Sequence, residues 1–273
     1  MTTLPTRLLA LSISTVAIFA SCTPDSQYFP PRTLKEWTID LSAKNENPNP
    51  ANRTETGTAV LQLLTDNSLR YTITVNGLQQ GDQLQAAHLH SGDAITNGNV
   101  ILDFAPTFNG NTATGTVFIP RATLLDSLTT GKDIYLNVHS SAAGAGLVRG
   151  QLNTDIDFAM DVQLSGANEI PAVTTAATGL AMLRMTSDQK LYAKIMTNGL
   201  EAADEWRMAH IHTGTATENG PVLVGIYSTP AEFGTAKIIN LDATTINAIL
   251  NNSLYVNAHT KDHPGGAIRG QIR

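Results

Sequence analysis

Six of the chain's seven histidines fall into two sets with matching spacing. The first set is Ala87-His88-Leu89-His90-Ser91-Gly92, followed by Tyr135-Leu136-Asn137-Val138-His139-Ser140. The second is Ala209-His210-Ile211-His212-Thr213-Gly214, followed by Tyr255-Val256-Asn257-Ala258-His259-Thr260. Neutral imidazole is a ligand for zinc and copper, and a His-x-His strand offers two nitrogens from one rigid element. A third histidine from a nearby strand completes a set of three, so His88, His90 and His139, and again His210, His212 and His259, are candidate metal ligands. The same side chains could instead be purely structural, hydrogen-bonding loop carbonyls and asparagines to pin irregular loops over a sheet.

The elements that must position these rings are read from alternation. Trp37 to Leu41, Thr58 to Leu64 and Leu69 to Val75 alternate with period two, with Asp66-Asn67 and Asn76-Gly77 as turn signals. The His-x-His run, Asn99 to Phe104, Gly115 to Ile119, the Tyr135 run and Leu147 to Leu152 complete eight strands. In each His-x-His strand the histidines share one face, while Ala87 and Leu89, or Ala209 and Ile211, take the other. Leu136 and Val138 are expected inside, leaving Asn137 and His139 outside. One helical segment interrupts the strands, with Leu124, Leu125 and Leu128 in register. The second half repeats it, with Asp242 as N-cap before Ile246, Ile249 and Leu250. Eight short strands with one helix suit an antiparallel Greek-key β-sandwich or barrel.

The second half is a copy of the first. Asn45-Glu46 recurs as Asn168-Glu169 at an offset of 123, Asn76-Gly77 and Asn97-Gly98 recur at 122, and the Asn-x-His and Arg-Gly-Gln motifs at 120. The chain is therefore expected to be all-β, with two tandem domains at 35–153 and 157–273 joined by a segment so short that they should touch. Arg149 and Arg269 open the two Arg-Gly-Gln motifs. Each could bind an anion, but is expected to fix the last strand by pairing with a carboxylate of its own domain, Glu46 and Glu169 being the candidates.

Residues 1–21 read as a secretion signal. Arg7 precedes an uncharged run from Leu8 to Ala20, 13 residues, too short to span a bilayer. Phe19-Ala20-Ser21-Cys22 is similar to a bacterial lipobox, and Cys22, the one cysteine, is the expected lipidation site. Residues 22–34 carry three prolines and read as a tether. The implied location is the bacterial cell envelope, at the outer membrane or cell surface, with the lipid on Cys22 as the membrane contact. Without the signal the chain has 16 basic and 23 acidic side chains, which argues against nucleic acid as a partner. There is no Gly-x-Ser-x-Gly motif, phosphate-cradling loop or cysteine nucleophile to suggest an enzyme.

Taken in order, Ala-His-x-His-x-Gly, Asn-Gly, Tyr-x-Asn-x-His-[Ser/Thr] and Arg-Gly-Gln resemble the CHRD domain, present twice. The resemblance implies an extracellular β-rich module, without a reaction or ligand. The second copy is closer to the pattern, with His263-Pro264-Gly265-Gly266 before Ala267-Ile268-Arg269. The first has Ala143-Gly144-Ala145 instead, which points to the second as the working copy. A more distant, fold-level likeness is to the copper-zinc superoxide dismutase sandwich, where a His-x-His strand and a later strand histidine hold copper. This chain lacks that family's cysteine pair and a histidine–aspartate zinc cluster, which puts dismutase activity in doubt. Two readings follow: a non-enzymatic binding or structural module for a protein or glycan ligand, or a copper- or zinc-binding protein with three histidines per domain.

Overall fold

The computed structural model describes residues 29–273. The stretch read as a secretion signal, Cys22 and the first part of the stretch read as a tether lie outside the described residues. Among the described residues no helix is long and apolar enough to cross a membrane.

The first copy comprises β1 (Thr33–Ser42), β2 (Thr56–Leu64), β3 (Ser68–Asn76), β4 (Leu84–Ser91), β5 (Val100–Asp103), β6 (Thr112–Phe118), α1 (Ala122–Thr129), β7 (Ile134–Ser140) and β8 (Val148–Gln151). The second comprises β9 (Ile156–Ser165), β10 (Thr178–Thr186), β11 (Lys190–Asn198), β12 (Trp206–Thr213), β13 (Val222–Tyr227), β14 (Lys237–Asn240), α2 (Ala243–Asn251), β15 (Leu254–Thr260) and β16 (Ile268–Gln271). Both copies are all-β with one α-helix each, as the alternation and repeat imply. β1 starts inside the stretch read as tether, because Leu34 to Leu41 continues the pairing with β2.

Each copy forms one antiparallel eight-stranded sheet, ordered β5-β4-β7-β8-β1-β2-β3-β6 and, in the second, β13-β12-β15-β16-β9-β10-β11-β14. The order is of Greek-key type, since β4 and β7 are neighbours although 42 residues separate Ser91 from Ile134. The sheet is continuous but narrow at one place. β8 meets β1 through the single pair Ser42–Arg149, and β16 meets β9 through Ser165–Arg269. Two four-stranded leaves thus hinge on each arginine and close over a common core.

Alternation decides what fills that core. Ile39, Leu61 and Ile73 come from one leaf and Leu89, Leu136 and Val138 from the other, all fully buried. Burying each contributes about 1.5–3 kcal/mol relative to exposure. Leu124 and Leu128 of α1 face the core, with Leu125 only partly buried. Asp242 caps α2 by accepting from the Thr245 N–H. Leu250 departs from the expected stripe and stays exposed, because Ala248 and Ile249 occupy the inner face of this short helix.

The copies touch, as the short connection requires. Ala94 and Ile95 of the first pack against Met182 and Tyr192 of the second. Beside them Arg184, wholly buried on β10, donates to Asp161 Oδ1 at 2.7 Å and to the Glu46 carbonyl of the first copy. Asp161 Oδ2 accepts from the Asn49 N–H at 2.9 Å. Substituting Arg184→Met strands the nearly buried Asp161 carboxylate, and should lower stability by about 3–5 kcal/mol in urea unfolding. The equivalent change in the first copy, Gln62→Met, touches no such pair and should stay within about 0.5 kcal/mol.

Candidate metal centre

The histidine strands are direct neighbours. β4 pairs with β7 so that His88 lies opposite Asn137, His90 opposite Tyr135 and His139 opposite Ala86. In the second copy His210 lies opposite Asn257, His212 opposite Tyr255 and His259 opposite Met208. Ala87, Leu89, Leu136 and Val138 are sealed in the core, and strand alternation therefore turns the imidazoles to the outer face.

The three rings of each copy converge. One ring nitrogen from each of His88, His90 and His139 lies within 4.8 Å of the others, and the same is true of His210, His212 and His259. The closest approach is His88 Nδ1 to His139 Nε2 at 3.0 Å, matched by His210 Nδ1 to His259 Nε2 at 3.2 Å. Their partners on the other side are backbone carbonyls. His90 Nδ1 donates to Gly98 O at 3.0 Å and His139 Nδ1 to Gly144 O at 3.0 Å. His212 Nδ1 donates to Gly220 O at 2.9 Å and His259 Nδ1 to Pro264 O at 3.0 Å. A carbonyl can only accept, so the proton sits on Nδ1 and the inward Nε2 keeps its lone pair. The Nε2 atoms of His90 and His212 are buried and have no hydrogen-bond partner.

The loops that supply those carbonyls are held by the arginines. Arg149 is fully buried and donates to Asn97 Oδ1 at 2.8 Å and to the carbonyls of Asp93 and Thr96. Arg269 does the same with Asn219 Oδ1, Thr215 O and Glu218 O. Each guanidinium also lies 3.4 Å from the centre of a tyrosine ring, Tyr135 or Tyr255. Because β7 runs between β4 and β8, Tyr135 is flanked by Arg149 and by the His90 ring, stacked at 4.9 Å and 9°. Tyr255 and His212 repeat the stack at 4.8 Å and 8°. The Tyr135 hydroxyl accepts from the Gly98 N–H, fixing the residue whose carbonyl holds His90. Position 98 must be glycine: a Cβ there would fall 1.6 Å from Ser91 O, and at Gly220 1.7 Å from Thr213 O.

Two expectations are corrected here. Arg149 and Arg269 make no ion pair with Glu46 or Glu169, because their donors are taken by loop carbonyls and asparagines. Glu46 instead accepts from Asn137 Nδ2 at 3.3 Å, and Asn257 stands beside Glu169 in the second copy. Nor is the first copy degraded at its divergent loop. What His139 needs from that loop is a main-chain carbonyl, which Gly144 supplies as well as Pro264 does for His259. The one glycine crowded by its surroundings is kept, as Gly146 and Gly266, whose Cβ would strike the buried glutamate in each copy. The tyrosines, the Asn-Gly loops and their glycines were legible only as repeated motifs, with no role attached.

Burial sets the electrostatics. It lowers the pKa of His210 to about 4, helped by the facing His259 and His212 rings. It also lowers those of His90, His139 and His259, so these rings stay neutral, the form that binds metal. Burial pushes Glu46 and Glu169 up to about 7, against the pull of the nearby arginines and asparagines. Three converging ring nitrogens per copy, with the outer nitrogens of two of the rings fixed by carbonyls, suit zinc or copper.

Comparison with known proteins places this geometry in context. The CHRD domain profile matches residues 37–152 and again 160–272. Chordin of Xenopus laevis is 25% identical over 242 residues, which is 82% of this chain and 25% of that protein. Chordin of Danio rerio is 25% identical over 232 residues, 79% of this chain and 24% of its own. The chain thus spans about a quarter of the length of these relatives. No solved structure matches.

The raised glutamate pKa values have a measurable consequence. Between the unperturbed value of 4.5 and about 7, the folded chain retains protons that the unfolded chain has lost. These carboxyls therefore make stability fall with rising pH across that window and level off above it, by up to about 1.4 kcal/mol per pH unit each. The histidines with lowered pKa act oppositely, so the informative quantity is a difference. Relative to wild type, Glu46→Gln/Glu169→Gln should gain stability from about pH 5 to about pH 7.5 in denaturant unfolding. A difference that stays flat would mean both carboxyls titrate normally.

Proposed function

Because the chain belongs to the CHRD domain family, in two copies that cover most of its length, we propose that it is an exported binding protein that carries a copper or zinc ion in each domain. The observation that carries this reading is the division of labour among the ring nitrogens. In each copy two histidines spend their outer nitrogen on a loop carbonyl and present a bare inner nitrogen to the third ring's. A purely loop-pinning role needs the carbonyl bonds alone, and gives no reason to bury the unpartnered Nε2 of His90 and His212. His88 Nδ1, His90 Nε2 and His139 Nε2 would hold one ion, and the corresponding atoms of His210, His212 and His259 the other. Three histidines leave a coordination position for water or a further ligand.

Export fits a family whose domains occur in extracellular proteins. The lipobox-like Phe19-Ala20-Ser21-Cys22 supports lipid attachment at Cys22 and retention at the bacterial envelope. With several acyl chains on one cysteine, such an anchor would be stable where a single chain is not. Carriage of the ion is the proposed role. Consumption of superoxide by the copper-loaded chain, lost on substituting the histidines, would extend it to redox chemistry.

The test is direct. Residues 23–273, loaded with copper or zinc and freed of excess, should retain two ions per chain by elemental analysis. The His210→Ala/His212→Ala variant should retain one. Failure of the intact protein to bind either metal with sub-micromolar affinity would overturn the reading. The histidines would then be loop pins, and the ligand a protein or glycan.

A further inference from the structure

The two histidine sets match in all three positions, yet their neighbours differ in chemically opposite ways. On one side of β4, His88 pairs with Asp103 of β5, whose Oδ1 lies 3.6 Å from His88 Nε2. In the second copy the partner of His210 on β13 is Gly225, and a Cβ built there meets nothing within 4 Å. On the other side the order reverses. His139 lies opposite Ala86, whereas His259 lies opposite Met208. Met208 is 40% exposed and shares the outer face with His210, since Ala209 is wholly buried. Residues directly opposed in an antiparallel pair have Cβ atoms about 4.5–5.5 Å apart, within easy reach of an unbranched thioether.

Resting on the metal reading above, we propose that the two centres are not equivalent: the first takes a divalent ion, and the second takes monovalent copper with the Met208 sulfur as a fourth ligand. The tautomers supply the first half of the argument. His139 Nε2 must accept in the metal-free chain, so His88 Nδ1 carries the proton between them. An ion held at His88 Nδ1 requires that proton to move to Nε2, where the Asp103 carboxylate receives it and makes the imidazole a stronger donor. Added negative charge behind a ligand favours the doubly charged ion. His210 has no such acceptor at Gly225, and its centre instead has a soft, uncharged sulfur at hand. Thioethers select monovalent copper over zinc.

The experiment isolates each centre within the same chain, lacking only residues 1–22. His88→Ala/His90→Ala leaves the second centre and His210→Ala/His212→Ala the first. Affinities for Cu(I) and Zn(II) are read by competition with chromophoric chelators. In the second-centre chain, Met208→Leu should weaken Cu(I) at least tenfold, leave Zn(II) unchanged and remove a copper–sulfur shell from the X-ray absorption spectrum. In the first-centre chain, Asp103→Asn should weaken Zn(II) about tenfold or more, and Ala86→Met should raise Cu(I) affinity. Met208 and Asp103 lie outside the core, so far-UV circular dichroism should be unchanged. Should both centres bind with one Cu(I)-to-Zn(II) preference, and Met208→Leu alter nothing, this inference is wrong while the metal reading stands. Should neither bind, both fall.

Discussion

Each domain is built around a fully buried guanidinium that makes no ion pair with a carboxylate among the described residues. Arg149 and Arg269 sit at the seam where the two leaves of the sandwich share one residue pair, so their main chain joins the leaves and their side chain leaves the sheet at that point. A buried charge is costly unless most of its donors are satisfied. Here three oxygen acceptors from one loop take the two terminal nitrogens and a tyrosine face covers the plane, while Arg149 Nε has no partner; the planar fork of arginine is needed to do both at once, and lysine could not. The loop is thereby fixed, its glycine carbonyl is fixed, and with it the tautomer and orientation of His90 or His212. Burial still lowers the pKa of Arg149 to about 10, a sign of how much the site costs to seal.

Much of this was legible from the residue order. Alternation around Ala87-His88-Leu89-His90 and Leu136-Asn137-Val138-His139 is enough to turn all three imidazoles outward, and the internal repeat says it happens twice. Adjacency was not legible, because β4 and β7 become neighbours through a Greek-key crossing that no local pattern announces. The arginine's partners were hidden for a related reason. Main-chain carbonyls carry no residue identity, so a search for charge complements finds Glu46 and Glu169 and misses Asp93 O, Thr96 O and their counterparts. The same blindness makes the 141–145 loop look damaged, although the atom it contributes belongs to the backbone and survives any substitution that keeps the path.

Where the copies have drifted apart, they have done so around a frame that did not move. The ring-to-carbonyl bonds, the tyrosine stacks and the arginine forks agree between copies to within a few tenths of an ångström. Residues flanking the frame, such as Asp103 against Gly225 and Ala86 against Met208, are free of it and differ. Duplication followed by change at the margins is how one rigid scaffold acquires two temperaments.

The joint between the copies carries a directional consequence. Arg184 of the second copy reaches the Glu46 carbonyl of the first, but the first copy has Gln62 at the position of Arg184 and Thr38 at that of Asp161. The contact is therefore head-to-tail, each copy offering a different patch, and it is not the self-matching contact of a two-fold pair. A head-to-tail joint sets unlike patches against each other. Such a joint is the grammar of beads on a string, and it makes the order of the two domains matter.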